Sequence, residues 1–293
     1  MTEGAPGSTV PRRQLGRYLR ELRNKSRLTV RAAATALEWS EAKMWRIETG
    51  QTSLRSLDVD AMCKIYGAPH DLTEALKALA KETKARGWWH AYGDVISEGF
   101  DLYIGLEESA SQLSWYESEL IPGLLQTPDY ARSLIESDNV GIEEQEVERR
   151  VHLRMERQRS LSRTTAPPTL RIVLNEGLLR RPIGGRRTMA HQLDHLTEVG
   201  RLPNVTIEVM PFSAELNPGV MTGPFVILRF PLNRDGKPTE PPTIYVDGYT
   251  GTLYLDKPNE VERYSTAFER IWQNALNEQE SADLISEVAR SYD

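Results

Sequence analysis

The chain has one cysteine, Cys63, in 293 residues. That excludes an internal disulfide and any zinc site built from cysteines. It has no apolar run near the roughly 20 residues that a membrane helix needs. Met1–Arg13 contains no apolar stretch of the kind a secretory signal requires. A G-x-S-x-G elbow, a phosphate-cradling G-x-x-x-x-G-K-[ST], an internal repeat and a low-complexity tract are all missing as well. These absences lead us to expect a soluble, cytoplasmic protein that is not an enzyme and carries no cofactor. What remains is ordinary globular material, 39% hydrophobic and 27% charged, long enough for about two domains.

Basic charge outweighs acidic charge at one end only. Residues 1–70 carry 12 Lys and Arg against 7 Asp and Glu, a net +5, whereas 71–293 carry 24 against 35, a net −11. Arg12 to Arg31 alone holds eight basic residues and a single acid, Glu21. A basic end on an acidic body points to a polyanion as partner for the first segment only. A solvated helix face is the plain alternative for the same charge run.

Hydrophobic spacing resolves the basic segment into short helices. In 13–25, Leu15, Tyr18, Leu19 and Leu22 form one stripe, with Arg13, Arg17 and Arg20 opposite. Thr29 suits an N-cap, and the alanines at 32, 33, 34 and 36 permit close helix packing. After Glu38 and Trp39, Ser40 caps a further helix that runs to Thr49 and stops at Gly50. A fourth, about 57–66, buries Val59, Met62, Cys63 and Tyr66, with Cys63 as a small core side chain. Two short helices across a tight turn, behind a basic first helix, form a helix-turn-helix pattern.

Such a unit must bury one face of its second helix and leave the other for the major groove. At 100° per residue Met44 and Ile47 point inward, while Ala42, Trp45 and Arg46 point outward, flanked by Glu41 and Lys43. Arg46 suits a bidentate guanine contact, Glu41 could accept from cytosine, and Ala42 could meet a thymine methyl. Ser40 and Lys43 sit where phosphate is as good a partner as base. Arg13 and Arg17, as phosphate-backbone contacts, and Arg31 complete the candidate DNA-binding set.

The strings Thr29–Val30–Arg31–Ala32–Ala33–Ala34 and Trp39–Ser40–Glu41–Ala42–Lys43–Met44–Trp45–Arg46–Ile47–Glu48–Thr49–Gly50 resemble an Xre/Cro-type helix-turn-helix. The resemblance covers about residues 12–69. It implies that Arg23 pairs with Glu48 as a structural tie between the first helix and the recognition helix. The sequence departs from the pattern at Arg27, where a turn glycine is common, and at Val30, where a phosphate-binding glutamine is common. Trp45 stands where a small polar residue is usual and could stack, wedge or pack at an interface.

Beyond a helical, charge-rich linker at 71–100, periodicity becomes mixed. Gly87–Tyr92 is dense in aromatics, read as domain packing with a ligand cage as the alternative. Helices are expected near 106–113, 128–137, 143–161, 186–199 and from Pro258 to Ala275 and beyond. An extended segment near 114–121 and strands near 170–174, 205–209, 225–228, 243–246 and 252–255 accompany them. The expected fold is thus multidomain, with an all-α helix-turn-helix domain at 1–70 and an α+β domain at 101–293. The runs Leu120–Ile121–Pro122–Gly123–Leu124–Leu125–Gln126–Thr127–Pro128, Arg154–Met155–Glu156–Arg157–Gln158, Arg181–Pro182–Ile183–Gly184–Gly185 and Val209–Met210–Pro211–Phe212 resemble the C-terminal domain of actinobacterial, antitoxin-like Xre regulators. That resemblance implies a transcriptional regulator encoded beside a small partner protein.

Three further features in this domain carry weaker chemistry. His191 and His195 share a helix face, but Gln192 replaces the glutamate of a zincin and no third ligand follows, so a plain helix surface is expected. Gly184–Gly185–Arg186–Arg187 before a helix could hold an anion or simply enter the helix. Glu176 could hold a ligand or cap a turn. The sequence therefore reads as a sequence-specific DNA-binding regulator, homodimeric through its C-terminal domain. The alternative is an antitoxin-like interaction protein that binds a small neighbour and regulates its own operon. Double-stranded DNA and a second copy are the expected partners, with a small protein from an adjacent gene as a further candidate, and no membrane and no metal are expected.

Overall fold

The computed structural model describes residues 9–84, 87–97, 99–214, 216–233, 235–249 and 251–292. Residues 1–8 of the segment read for a signal sequence lie outside it. The chain divides into two compact units, one of 9–93 with Ser97–Ser109 and one of Asp94–Ile96 with 110–292.

The first unit is all helical: α1 (Thr9–Lys25), α2 (Val30–Ala36), α3 (Glu41–Glu48), α4 (Ser56–Tyr66), α5 (His70–Glu82), a 3-10 turn at Trp88–Tyr92, and α6 (Phe100–Ser109). Leu15, Leu19, Met44, Ile47, Val59, Met62 and Leu76 share one core, in which the small side chains of Ala33 and Ala34 let α2 approach closely. Cys63 lies in it too, and burial pushes its thiol pKa up. Each of α1 to α4 ends the same way. A residue just past the helix takes a positive φ, and the next N–H reaches back five residues: Leu28 to Arg23 O, Trp39 to Ala34 O, Gln51 to Arg46 O and Ala68 to Cys63 O. Gly50 and Gly67 suit that position, but Arg27 (φ 56°) and Glu38 (φ 57°) occupy it without being glycine. Arg27 therefore keeps the left-handed turn that its departure from the family pattern had put in question.

The second unit is α+β, as the periodicity implied. In chain order it runs β1 (Gln112–Glu117), α7 (Pro128–Asp138), α8 (Glu144–Gln158), β2 (Thr169–Asn175), α9 (Glu176–Leu179), α10 (Arg186–Val199) and β3 (Val205–Met210). Then come α11 (Gly219–Thr222), β4 (Phe225–Arg229), β5 (Thr243–Gly248), β6 (Gly251–Leu255), α12 (Pro258–Asn274) and α13 (Glu278–Arg290). The six strands lie in the order β3-β2-β1-β4-β5-β6, parallel among the first three and antiparallel from β1 to β6. One face buries Tyr116, Val173, Phe225, Ile227 and Ile244 against Phe268 and Ile271 of α12. Arg171 reinforces it, stacking 4.2 Å over the Trp272 ring and bonding Glu269 at 2.8 Å.

The sequence placed a helix at 106–113, whereas α6 ends at Ser109 and Leu113 already belongs to β1. The apolar run through Leu102–Leu106 belongs to α6, and Leu113, Trp115 and Tyr116 are buried in the sheet.

Candidate nucleic-acid interface

Ser40 accepts the Lys43 N–H at 3.1 Å and starts α3, as an N-cap serine should. The helix then buries Met44 and Ile47, at 0% and 1% exposure, and turns Glu41, Ala42, Trp45 and Arg46 to solvent. Trp45 is 57% exposed, so the bulky side chain at this position is not absorbed by the core.

Two devices fix α3 on α1. Arg23 closes on Glu48 with Nε to Oε1 at 2.6 Å and Nη2 to Oε2 at 2.8 Å, the fork-to-fork geometry of a strong charged pair. Arg23 Nη1 also donates to Asn24 Oδ1 at 3.0 Å and to the Leu28 carbonyl at 2.8 Å. Its bond to Glu48 holds the Arg23 pKa above the ordinary value. The pair expected from the resemblance is thus present and buried. The second device is Gly16, where an added Cβ would stand 2.5 Å from the Ile47 carbonyl oxygen. Only a glycine lets α1 and α3 approach this closely.

The candidate residues divide by placement. Arg31 is exposed near the start of α2, and Arg17 is half-buried on α1. Lys43 is half-buried because its ammonium sits 3.4 Å over the Trp39 ring centroid, a cation–π contact that fixes its direction. Arg13 differs from expectation. It is 5% exposed, and its Cγ lies 2.6 Å from where a Gly50 side chain would begin. Helix α1 starts at Thr9, and the turn closing α3 folds over Arg13, so its side chain is packed rather than presented.

Sequence reasoning passed over Arg55 and Lys84. With Lys43 and Arg46 they line a cleft of about 350 Å³, in which Asp58 is the acidic member. Asp58 also accepts the Arg55 N–H at 3.4 Å at the start of α4. A basic residue directly ahead of a helix start was the available signal for Arg55; Lys84 is distant in sequence and gave none.

The weaker features of the second unit resolve into structure. Gln192, standing where a zincin has glutamate, is fully buried and clamps the 123–127 turn: it accepts from Thr127 N and donates to the Leu125 carbonyl, both at 2.7 Å. Among the described residues no group of three or more His, Cys, Asp or Glu is placed to hold a metal. Arg186 donates to the Ser291 carbonyl at 2.7 Å. Glu176 is buried, bonded to Arg180 and to the Phe212 N–H at 2.8 and 2.7 Å.

Capped helices, a Schellman turn and a buried tie behind an exposed α3 define a helix-turn-helix protein, the architecture of DNA-binding regulators. Residues 14–76 match a helix-turn-helix domain family. Residues 100–287 match the family described as a domain of unknown function, DUF5753, and the chain belongs to that family. The match begins at the first residue of α6, a helix that packs on α1 within the first unit. No curated protein and no solved structure matches the chain. Among the described residues no helix is long and apolar enough to cross a membrane.

Proposed function

We propose that this protein is a cytoplasmic, sequence-specific transcriptional regulator of the Xre type, without catalytic activity, that reads DNA through α3. The observation that carries the reading is the outward face of α3, rigidly backed by Arg23–Glu48 and Gly16 and studded with Ala42, Trp45 and Arg46. Arg46 has the planar fork for guanine O6 and N7, Glu41 an acceptor for cytosine, and Ala42 a methyl for thymine. Ser40 and Lys43 serve the base edge or phosphate at the helix start. Arg17, Arg31, Arg55 and Lys84 supply the sequence-independent phosphate contacts. Arg13 acts through packing under the α3 turn.

One recognition helix reads only a few base pairs, so the reading includes a homodimer formed through the second unit. That unit's acidic charge makes it a poor DNA ligand. It acts by setting the spacing of the DNA-reading units in response to a small partner protein or ligand. The test is selection from random DNA by the full chain. Enrichment of one motif, repeated with two-fold symmetry about one helical turn apart, is expected. A selected pool without a motif would overturn the proposal.

The second reading is an antitoxin-like interaction protein that binds the small product of an adjacent gene and regulates its own operon. The acidic second unit supports it. Co-purification of that product with the full chain, and a change in operator affinity on adding it, would distinguish this role from a solitary regulator.

A further inference from the structure

Four cations of the first unit converge on one concavity. Lys43 and Arg46 come from α3, Arg55 from the start of α4 and Lys84 from just beyond α5, around the cleft of about 350 Å³. Asp58 is the acidic member of the lining, which leaves a surplus of three positive charges. Among the described residues Arg46, Arg55 and Lys84 form no ion pair, and the Lys43 ammonium meets only the Trp39 ring. Cations gathered in a cleft without a carboxylate for each focus the field on an incoming anion.

The walls are ordered before anything binds. Ile47 and Leu54 line the cleft and are buried, at 1% and 4% exposure. Trp39 holds the Lys43 ammonium 3.4 Å from its ring centroid, and Asp58 fixes the start of α4 by accepting the Arg55 N–H. A site organised in advance binds at a smaller entropic cost.

The lining also defines the chemistry of the ligand. Arg46 and Arg55 offer planar forks that match phosphoryl oxygens, Lys43 and Lys84 add point charges, and Thr52 and Ser53 add hydroxyls. A phosphate monoester carries a charge of about −1.5 to −2, short of the surplus, whereas two linked phosphoryl groups meet it. The volume falls within the roughly 300–1,000 Å³ of small-molecule sites. Phosphoryl groups come either from a DNA backbone or from a free small molecule. A duplex presents its phosphates one by one along a convex ridge, so a concave cleft suits the free anion better. We propose that this cleft binds the diphosphate group of a small free anion, and that its occupation takes Arg46 away from DNA. The second half rests on the reading of α3 as the recognition helix: one guanidinium cannot serve guanine and a phosphoryl group in the cleft together. The anion is then an effector that releases DNA at the reading helix itself.

The test is calorimetric titration of inorganic diphosphate into the full chain, without DNA and at constant ionic strength. Saturable binding at one site per chain is expected. Arg55→Ala with Lys84→Ala, both at exposed positions, should weaken it at least about tenfold. Lys25→Ala with Lys64→Ala removes the same charge from exposed positions outside the cleft and should leave the affinity unchanged. Inorganic monophosphate should bind at least about tenfold more weakly than diphosphate. No saturable binding, equal losses in the two double variants, or equal affinity for the two anions would overturn the proposal and leave the cleft to the DNA backbone. In a second arm, saturating diphosphate should raise the Kd for selected DNA about tenfold or more over chloride of equal ionic strength. Diphosphate binding with DNA affinity unchanged would overturn the competition. Because the titration contains no DNA, its failure leaves the DNA reading standing, and a selected pool without a motif leaves the anion site standing.

Discussion

Arg23 on α1 and Glu48 on α3 meet through two hydrogen bonds, at 2.6 and 2.8 Å, behind the outward face of the recognition helix. Both residues are buried, at 7% and 6% exposure. A pair in this setting repays its desolvation only while both members are present.

Arg23→Ala should therefore cost about 3–5 kcal/mol in urea unfolding, because it strands a buried carboxylate. The joint substitution Arg23→Met with Glu48→Leu should recover most of that loss. If the double variant is as unstable as the single, the pair is worth more than its desolvation and the assignment is wrong.

The two helix ends that lack glycine give a prediction of opposite sign. Arg27 and Glu38 hold φ values of 56° and 57°, which cost a side chain roughly 1–2 kcal/mol each. The extra freedom of glycine in the unfolded chain offsets part of the relief, so Arg27→Gly and Glu38→Gly should each stabilise by about 0.5–1 kcal/mol. A lower melting temperature for either variant would show that its side chain makes an interaction that outweighs the strain.

Much of this first unit is legible from spacing because caps and core stripes are local. Thr29, Ser40, Gly50 and Gly67 mark helix ends in the sequence, and the burial of Met44 and Ile47 follows from the 100° step. Arg13 was misplaced for a non-local reason: what covers it is the turn at Gly50, 37 positions further along the chain. In the second unit the strands announce themselves as β-branched runs. By contrast, the inward role of Gln192 depends on the 123–127 turn, and the cleft beside Arg46 depends on Lys84 arriving from beyond α5. Neither has a local signature.

Glu117 provides a pH-dependent prediction. Burial pushes its pKa up to about 7, against the Trp115 indole N–H at 3.2 Å and the Ser118 N–H, which pull it down, and with Asp247 and Glu119 adding to the rise. The unfolded carboxyl ionises near its ordinary value, so between that pH and about 7 the folded chain binds more protons and stability falls as pH rises. Above that window the full penalty, on the order of 2–3 kcal/mol, is present. Glu117→Gln should match the parent near pH 4 and be more stable at pH 8, by chemical unfolding at both values. A variant less stable than the parent at pH 8 would mean that the ionised carboxylate is well solvated or paired.

Phosphate binding and packing separate by salt. Arg17→Ala or Arg31→Ala should weaken binding to every DNA sequence and lower the salt slope by about one for each phosphate no longer neutralised. Arg13→Ala should appear in unfolding measurements and leave the slope unchanged. A slope change at Arg13 would return that residue to the DNA-binding set.

In the proposed function α3 reads base edges through Arg46. Its most direct test is a paired titration of the full chain and Arg46→Ala on selected and scrambled DNA, at several salt concentrations. A loss of about 1–3 kcal/mol on the selected sequence, relaxed preference at one base position, and little change on scrambled DNA are expected. An equal loss on both DNAs would contradict base reading and place Arg46 among the phosphate binders.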